Sequence, residues 1–372
     1  MEKHGSFKNF SFTALSKIMG GGFQFIFYFI FAAILTPHQY GELSYYIGIA
    51  ATFSLFLRFG FPYSISVSLG KNEEKLSDQI NSLAFIMLAS SSIILLFIDH
   101  YIALLTLGIS FFMMNEFNLI GLKKYKKNFI IALTKGLAII VFPLVLYSVL
   151  DLPGILLGMA LANLIVSIDY MKSVKLIKNF SLIRTKFSVL IHNFGIDVSS
   201  NLSRSIDKII IAPLLGFSTV GVYQLNLQIL LGLEMLPIAL HSFLLSEESS
   251  GNSTKKLQIL IVLLSILITA VAIFSSPFLI TQFLPHYSEG IPSLQVMVIS
   301  LIPLTFSSIF SAKLQSNEST KIGYSALIRI GSLIIFIFTI GSWLELLGLS
   351  LSVLLSSSLY CSFLFYLYLK NK

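Results

Sequence analysis

The chain has 372 residues, 55% of them hydrophobic and only 11% charged, with a mean hydropathy of +0.87 and a net charge of +8. Soluble domains average about 25% charged residues, so this much apolar surface cannot be hidden in one water-soluble core. The expected class is an all-α polytopic membrane protein. The single cysteine, Cys361, excludes an intrachain disulfide and reads as a small apolar residue of the last span.

In chain order, the N-terminus "MEKHGSFKNF" is basic and leads into a long apolar run without a small-residue cleavage site. It reads as an uncleaved first span rather than a signal peptide. Runs of about 20 apolar residues, the length a bilayer needs, recur twelve times. They cover 14–35, 43–69, 80–98, 101–120, 129–150, 152–170, 190–215, 221–245, 257–283, 291–311, 322–341 and 344–369. The second run passes Gly60 and Pro62, which predicts a kink or a broken helix there. Neighbouring runs abut closely at Asp99–His100 and at Asp151.

The cations test this map. With Lys17, at the head of the first run, counted with the N-terminus, five of the 25 Lys and Arg fall inside runs: Arg58, Lys135, Arg204, Lys208 and Arg329. All the others fall at the N-terminus, on the even-numbered connections or at the C-terminus. The odd-numbered connections hold none. A miscounted span would have mixed the two sets. The positive-inside rule then places both termini in the cytoplasm. The net positive charge is thus a topology signal, not a nucleic-acid footprint, and "KKYKK" and "KSVKLIKNFSLIRTK" read as solvated cytoplasmic loops near anionic headgroups.

Shifting the sequence by 180 residues lays "ILTPHQYGELSYYIGI" on "LLGFSTVGVYQLNLQI". Leu35 meets Leu215, Gly41 meets Gly221 and Ile49 meets Ile229, in a short cation-free turn of each half. Six spans per half is an even number, so both halves enter from the same side. The reading is two six-helix lobes, 1–180 and 181–372, related by a pseudo-two-fold axis along the membrane normal, with a site near mid-membrane. The basic segment 171–189 is the natural linker.

Arg204 stands about 20 Å into the seventh run at 1.5 Å per residue. Asp197, Asn201, Arg204 and Lys208 follow one another at helical spacing and so share a face. Asp207 is three residues from Arg204 and is placed to pair with it as a strut. Five intramembrane cations facing lipid would cost on the order of 15 kcal/mol. They must therefore face water, a partner or a ligand. Lys135 and Arg329 are expected to snorkel to the cytoplasmic interface, and Glu116 to reach water. Arg58, Arg204 and Lys208 are too deep for that, with Asp207, Glu234 and Asp197 as the buried acids. A neutral-to-positive deep zone favours an anionic ligand, and arginine makes forked contacts with phosphate oxygens. Gln24, Asn201, Gln224 and Gln228 extend the polar lining. Amides suit sugar hydroxyls and interhelical hydrogen bonds alike. His241 is a candidate for titration near neutral pH.

"GGG" at 20–22 follows no strand and reads as packing or bending inside a span. The Ser-rich runs such as "SSSL" read as bonded to their own helix. No P-loop and no metal-ligand spacing occurs, so no cofactor is expected.

"ALSKIMGGGFQFIFYFIFAAILTPHQYGELSYYIGIA", "FLRFGFPYSISVSLGK" and "SRSIDKIIIAPLLGFSTVGVYQL" together resemble the polysaccharide-transporter branch of the multidrug/oligosaccharidyl-lipid/polysaccharide exporter superfamily. The Wzx-type O-antigen or capsule repeat-unit flippases are the nearest likeness. The resemblance spans nearly the whole chain, and its most characteristic pieces are the Leu35–Gly41 and Leu215–Gly221 turns and the Asp207–Lys208 pair. It implies transfer of an undecaprenyl-diphosphate-linked oligosaccharide across the bacterial inner membrane by alternating access, beside polymerase and chain-length machinery. Arg58, Arg204 and Lys208 would then contact diphosphate or acidic sugar, while Asp207, Glu234 and Asp197 position those cations or carry a coupling proton. A drug/cation antiporter of the same superfamily should have an acid-rich cavity. A membrane polymerase or glycosyltransferase should carry a substantial external catalytic loop, and the longest here, 284–292, holds only Glu289 and His286 as candidates.

Overall fold

The computed structural model describes residues 2–249, 255–316 and 322–370, and among these every regular element is helical. Helices α1 (Glu2–Ile34), α2 (Pro37–Leu57), α3 (Phe61–Gly70), α4 (Glu74–Leu96), α5 (His100–Gly121) and α6 (Tyr125–Ile165) are followed by the short α7 (Ile168–Ser173) and α8 (Ser181–Thr185). Then come α9 (Phe187–Asn201), a 3-10 turn (Leu202–Arg204), α10 (Ile206–Ser249), α11 (Lys255–Phe283), α12 (Ile291–Val298), α13 (Leu301–Ser316), α14 (Ile322–Phe336) and α15 (Ser342–Lys370).

Among the described residues, eight helical segments are long and apolar enough to cross a membrane, and nine if α2 and α3, bent by 48°, form one span. Three of these helical segments conceal chain reversals. In α6, Asp151 has φ 53° and ψ −141°, and a Cβ on Gly158 would strike the backbone of Pro143, fifteen residues back. A straight helix would hold those residues about 22 Å apart. In α10 the break is Gly216, with φ 81°, and the Tyr223 hydroxyl returns to Asp207 at 2.9 Å. In α15 the break is Glu345, φ 49°, which brings Gly348 against Ile340. With the seventh run shared between α9, the 3-10 turn and the first leg of α10, all twelve expected runs lie on helix.

Local chemistry sets the boundaries. The Asp99 carboxylate caps α5 by accepting from the Ile102 N–H at 2.8 Å. Thr36 and Gln39 form a reciprocal capping box at the start of α2, with bonds of 3.2 and 3.3 Å, and Pro37 supplies the preset φ of a first helical residue. Ser356, Ser357 and Ser358 bond to carbonyls three or four residues back, as the "SSSL" reading expects.

The helices gather into two compact units, one from Met1–Tyr28 with Tyr46–Ile206, the other from Phe29–Tyr45 with Asp207–Lys372. The first has its core around Phe61, Ile65, Ile80, Leu88, Phe111 and Met114. The second is built around Ile211, Tyr223, Leu230, Met297, Leu301 and Leu349.

Inside the second unit the 180-residue repeat becomes a physical contact. A Cβ on Gly41 would strike the Phe217 carbonyl and come within 2.7 Å of Gly221 N. A Cβ on Gly221 would strike the Pro37 carbonyl and come within 3.0 Å of Gly41 N. Pro37 and Phe217 are themselves 180 residues apart, so the contact is reciprocal, as at a two-fold axis. Both positions exclude any side chain because backbone faces backbone. At Gly20, by contrast, an added Cβ would meet nothing within 4 Å. Gly41→Ala and Gly221→Ala should each lower stability by roughly 1–3 kcal/mol, read as a fall in melting temperature in detergent. Gly20→Ala should leave it unchanged.

Candidate functional site

The second apolar run breaks where the sequence marks it. Helix α2 ends at Leu57, Phe59 and Gly60 take φ of 41° and 70°, and α3 begins at Phe61. Gly60 lies so close to the α9 backbone that a Cβ would meet Phe194 N and Asn193 C. The Phe59 ring stacks on Phe194, centroids 4.7 Å apart. Asn193 Nδ2 donates to Ser64 Oγ at 2.8 Å, fastening α9 to α3 as well.

Arg58 stands at this break, 4% exposed, and forks onto Asp197 of α9, which is fully buried. Its Nε donates to Oδ2 at 2.7 Å and its Nη2 to Oδ1 at 2.8 Å. Asn201 Nδ2 adds a third bond to Oδ1 at 2.8 Å. The carboxylate therefore meets both its charge and its lone pairs inside one unit. Removing either charge would strand the other, at a cost of about 3–5 kcal/mol.

Of the shared face predicted for Asp197, Asn201, Arg204 and Lys208, Asp197 and Asn201 are in contact. The 3-10 turn at 202–204 and Ser205, φ −129°, interrupt the helical periodicity on which that face depends. Arg204 ends this turn and is exposed. Lys208 Nζ lies 2.9 Å from Asp207 Oδ1, and the Tyr223 hydroxyl donates to Oδ2 at 2.9 Å. Asp207 and Lys208 are both at least 95% buried, at 1% and 5% exposure. Asp207 is thus held by its neighbour in sequence and by a tyrosine sixteen residues on. Sequence spacing misses Tyr223 because its partner is reached only through the reversal at Gly216.

The second leg of α10 carries Gln224, Gln228 and Glu234, all buried, while Gln24 is half-buried in α1. Gln224 Oε1 is buried without a protein hydrogen-bond partner. The side chain of His241 lies outside the described residues. Lys135 and Arg329, expected to snorkel, each lie beside an aromatic ring. Lys135 Nζ sits 3.6 Å from the centroid of the Phe112 ring and interacts with half-buried Glu116. The Arg329 guanidinium lies 5.6 Å from the centroid of Tyr360. The face of an aromatic ring attracts a cation electrostatically. Among the described residues no group of His, Cys, Asp and Glu could hold a metal ion.

Residues 6–122 match the family model described as polysaccharide biosynthesis protein. An uncharacterised membrane protein of Methanocaldococcus jannaschii is 23% identical, over 85% of this chain and 86% of its own. The lipid II flippase MurJ, in an inward closed conformation, superposes with a TM-score of 0.73 at 18% identity, over 97% of this chain and 87% of the other. A multidrug resistance MATE family transporter of the MOP superfamily, inward-facing, gives 0.71 at 13% identity, over 96% and 94%. The fold is that of the multidrug/oligosaccharidyl-lipid/polysaccharide exporter superfamily. The resemblance to its polysaccharide-transporter branch holds as read from the sequence, and the family match includes Arg58 and the break beside it. With eight or nine helical segments long and apolar enough to cross a membrane among the described residues, the chain reads as a multi-pass membrane protein.

Gln224 offers a test of what this exporter fold keeps polar for structure. Gln224→Leu removes an acceptor that no protein group answers, so the melting temperature should hold or rise. A clear fall would mean that the amide is structural.

Proposed function

We propose that the chain is a flippase for an undecaprenyl-diphosphate-linked oligosaccharide repeat unit, moving it across the bacterial inner membrane by alternating access during O-antigen, capsule or related polysaccharide assembly. The observation that carries this reading is an arginine at a broken intramembrane helix, inside the segment that matches a polysaccharide biosynthesis family. A guanidinium that forks onto a carboxylate at 2.7 and 2.8 Å presents the same two donors to a phosphate.

In this reading Arg58, Arg204 and Lys208 contact the diphosphate or acidic sugars. Asp197, Asp207 and Glu234 hold those cations or carry a coupling proton. Gln24, Asn201, Gln224 and Gln228 meet glycan hydroxyls, and the polyprenyl tail stays in lipid. The lobes that rock are 1–180 and 181–372, both termini are cytoplasmic, and polymerase and chain-length proteins work alongside. Arg204 is the exposed member of the deep cations and so the first to meet a ligand.

The second reading, an ion-coupled multidrug antiporter, draws on the equal likeness to a MATE fold and on the acids that neutralise Arg58 and Lys208. The two part in a cell lacking its own repeat-unit flippase. The chain should restore surface glycan there, and Arg204→Ala should abolish it at unchanged protein level. Drug efflux without glycan would favour the antiporter, and normal glycan from Arg204→Ala would remove Arg204 from the proposed site.

A further inference from the structure

Residues 171–189, expected as a solvated loop, are folded onto the first turns of α4. The Tyr170 hydroxyl donates to Asn81 Oδ1 at 2.6 Å. Ser82 Oγ accepts from the Ile177 N–H at 2.8 Å and donates to its carbonyl at 3.3 Å. Gln79 Oε1 accepts from the Leu182 N–H at 3.1 Å, and Lys186 Nζ meets both Glu73 oxygens at 2.6 and 2.7 Å. Tyr170 and Ile183 enter the core of the first unit, and Val174 and Phe180 pack against it. The segment is a strap, not a tether.

Its outer chemistry is left unanswered. Leu176 is 67% exposed, and Leu182 and Phe187 are exposed too. Interleaved with them are exposed Lys172, Lys175, Lys178 and Arg184. The strap holds no acidic residue; of the acids around it, Glu73 and Asp169 are engaged by Lys186 and Lys127, and Glu74 and Asp78 of α4 form no ion pair with it. Among the described residues no carboxylate pairs with these four cations. The strap also begins where one apolar run ends and finishes where the next begins, which sets it at the depth of headgroups. Exposed apolar side chains mixed with unpaired cations at that depth complement an anionic bilayer surface.

We infer that the strap binds anionic phospholipid, with Lys172, Lys175, Lys178 and Arg184 on headgroup phosphates and Leu176, Leu182 and Phe187 at the headgroup–acyl boundary. The strap runs directly into α9, the helix carrying Asp197, so bound lipid steadies the end of that helix. This goes beyond the flippase reading and does not depend on the transported substrate.

The test is hydrogen exchange of the full chain in nanodiscs of phosphatidylcholine, alone or mixed with phosphatidylglycerol. Phosphatidylglycerol should slow exchange of strap amides by about tenfold. The slowing should vanish when Lys172→Gln, Lys175→Gln, Lys178→Gln and Arg184→Gln are combined, with Lys186 kept. It should persist when Lys123→Gln, Lys124→Gln and Lys126→Gln are combined on the turn before α6. No slowing in the native chain, the same slowing in the strap variant, or equal loss in both variants would overturn the inference. Unchanged exchange in α5 verifies that each variant is folded, and no glycolipid enters the readout.

Discussion

A guanidinium cannot stay charged among apolar side chains without an anion within reach, and the first unit is organised around meeting that need for Arg58. The fork onto Asp197 ties the break between α2 and α3 to α9, 139 residues further along the chain. Around it the close approach of Gly60 to the α9 backbone, the Phe59–Phe194 stack and the Asn193–Ser64 bond all lie on the same two elements. The pair alone adds little net stability over an apolar replacement. Losing one partner alone would leave the other charge buried and unanswered, at a cost of about 3–5 kcal/mol.

The second unit meets the same need differently. Lys208 is answered by the residue beside it, and Asp207 also receives a hydroxyl from Tyr223 across the Gly216 reversal. The reciprocal glycines 41 and 221 bring the two repeat turns into backbone contact in that unit. A fold with two internally neutralised charge pairs keeps its deep cations available at low cost in net field. In the proposed flippase an arriving phosphate would compete with a carboxylate instead of entering an unsatisfied hole.

Much of this is visible in the residues alone. Apolar runs and cation placement mark the helices and the reversal points at Asp99 and Asp151. The shift of 180 residues singles out Gly41 and Gly221, which the fold brings into contact. Other features depend on geometry that spacing does not carry. The 3-10 turn at Leu202–Arg204 is a local departure from 3.6-residue periodicity, so a face drawn through it misplaces Arg204 and Lys208. Arg58–Asp197 joins residues too distant in sequence for any helical rule. The positions of Lys135 and Arg329 turn on which aromatic rings lie nearby. The Thr36–Gln39 capping box is readable as T-x-x-Q and marks the start of α2.

Arg58 and Asp197 act as one unit, each needed because of the other. A double-mutant cycle on folding stability, with Arg58→Ala, Asp197→Ala and the two combined, measures this coupling. Each single change should be strongly destabilising and the double should lose no more than either, a coupling of about 3 kcal/mol or more. Losses that simply add would contradict it.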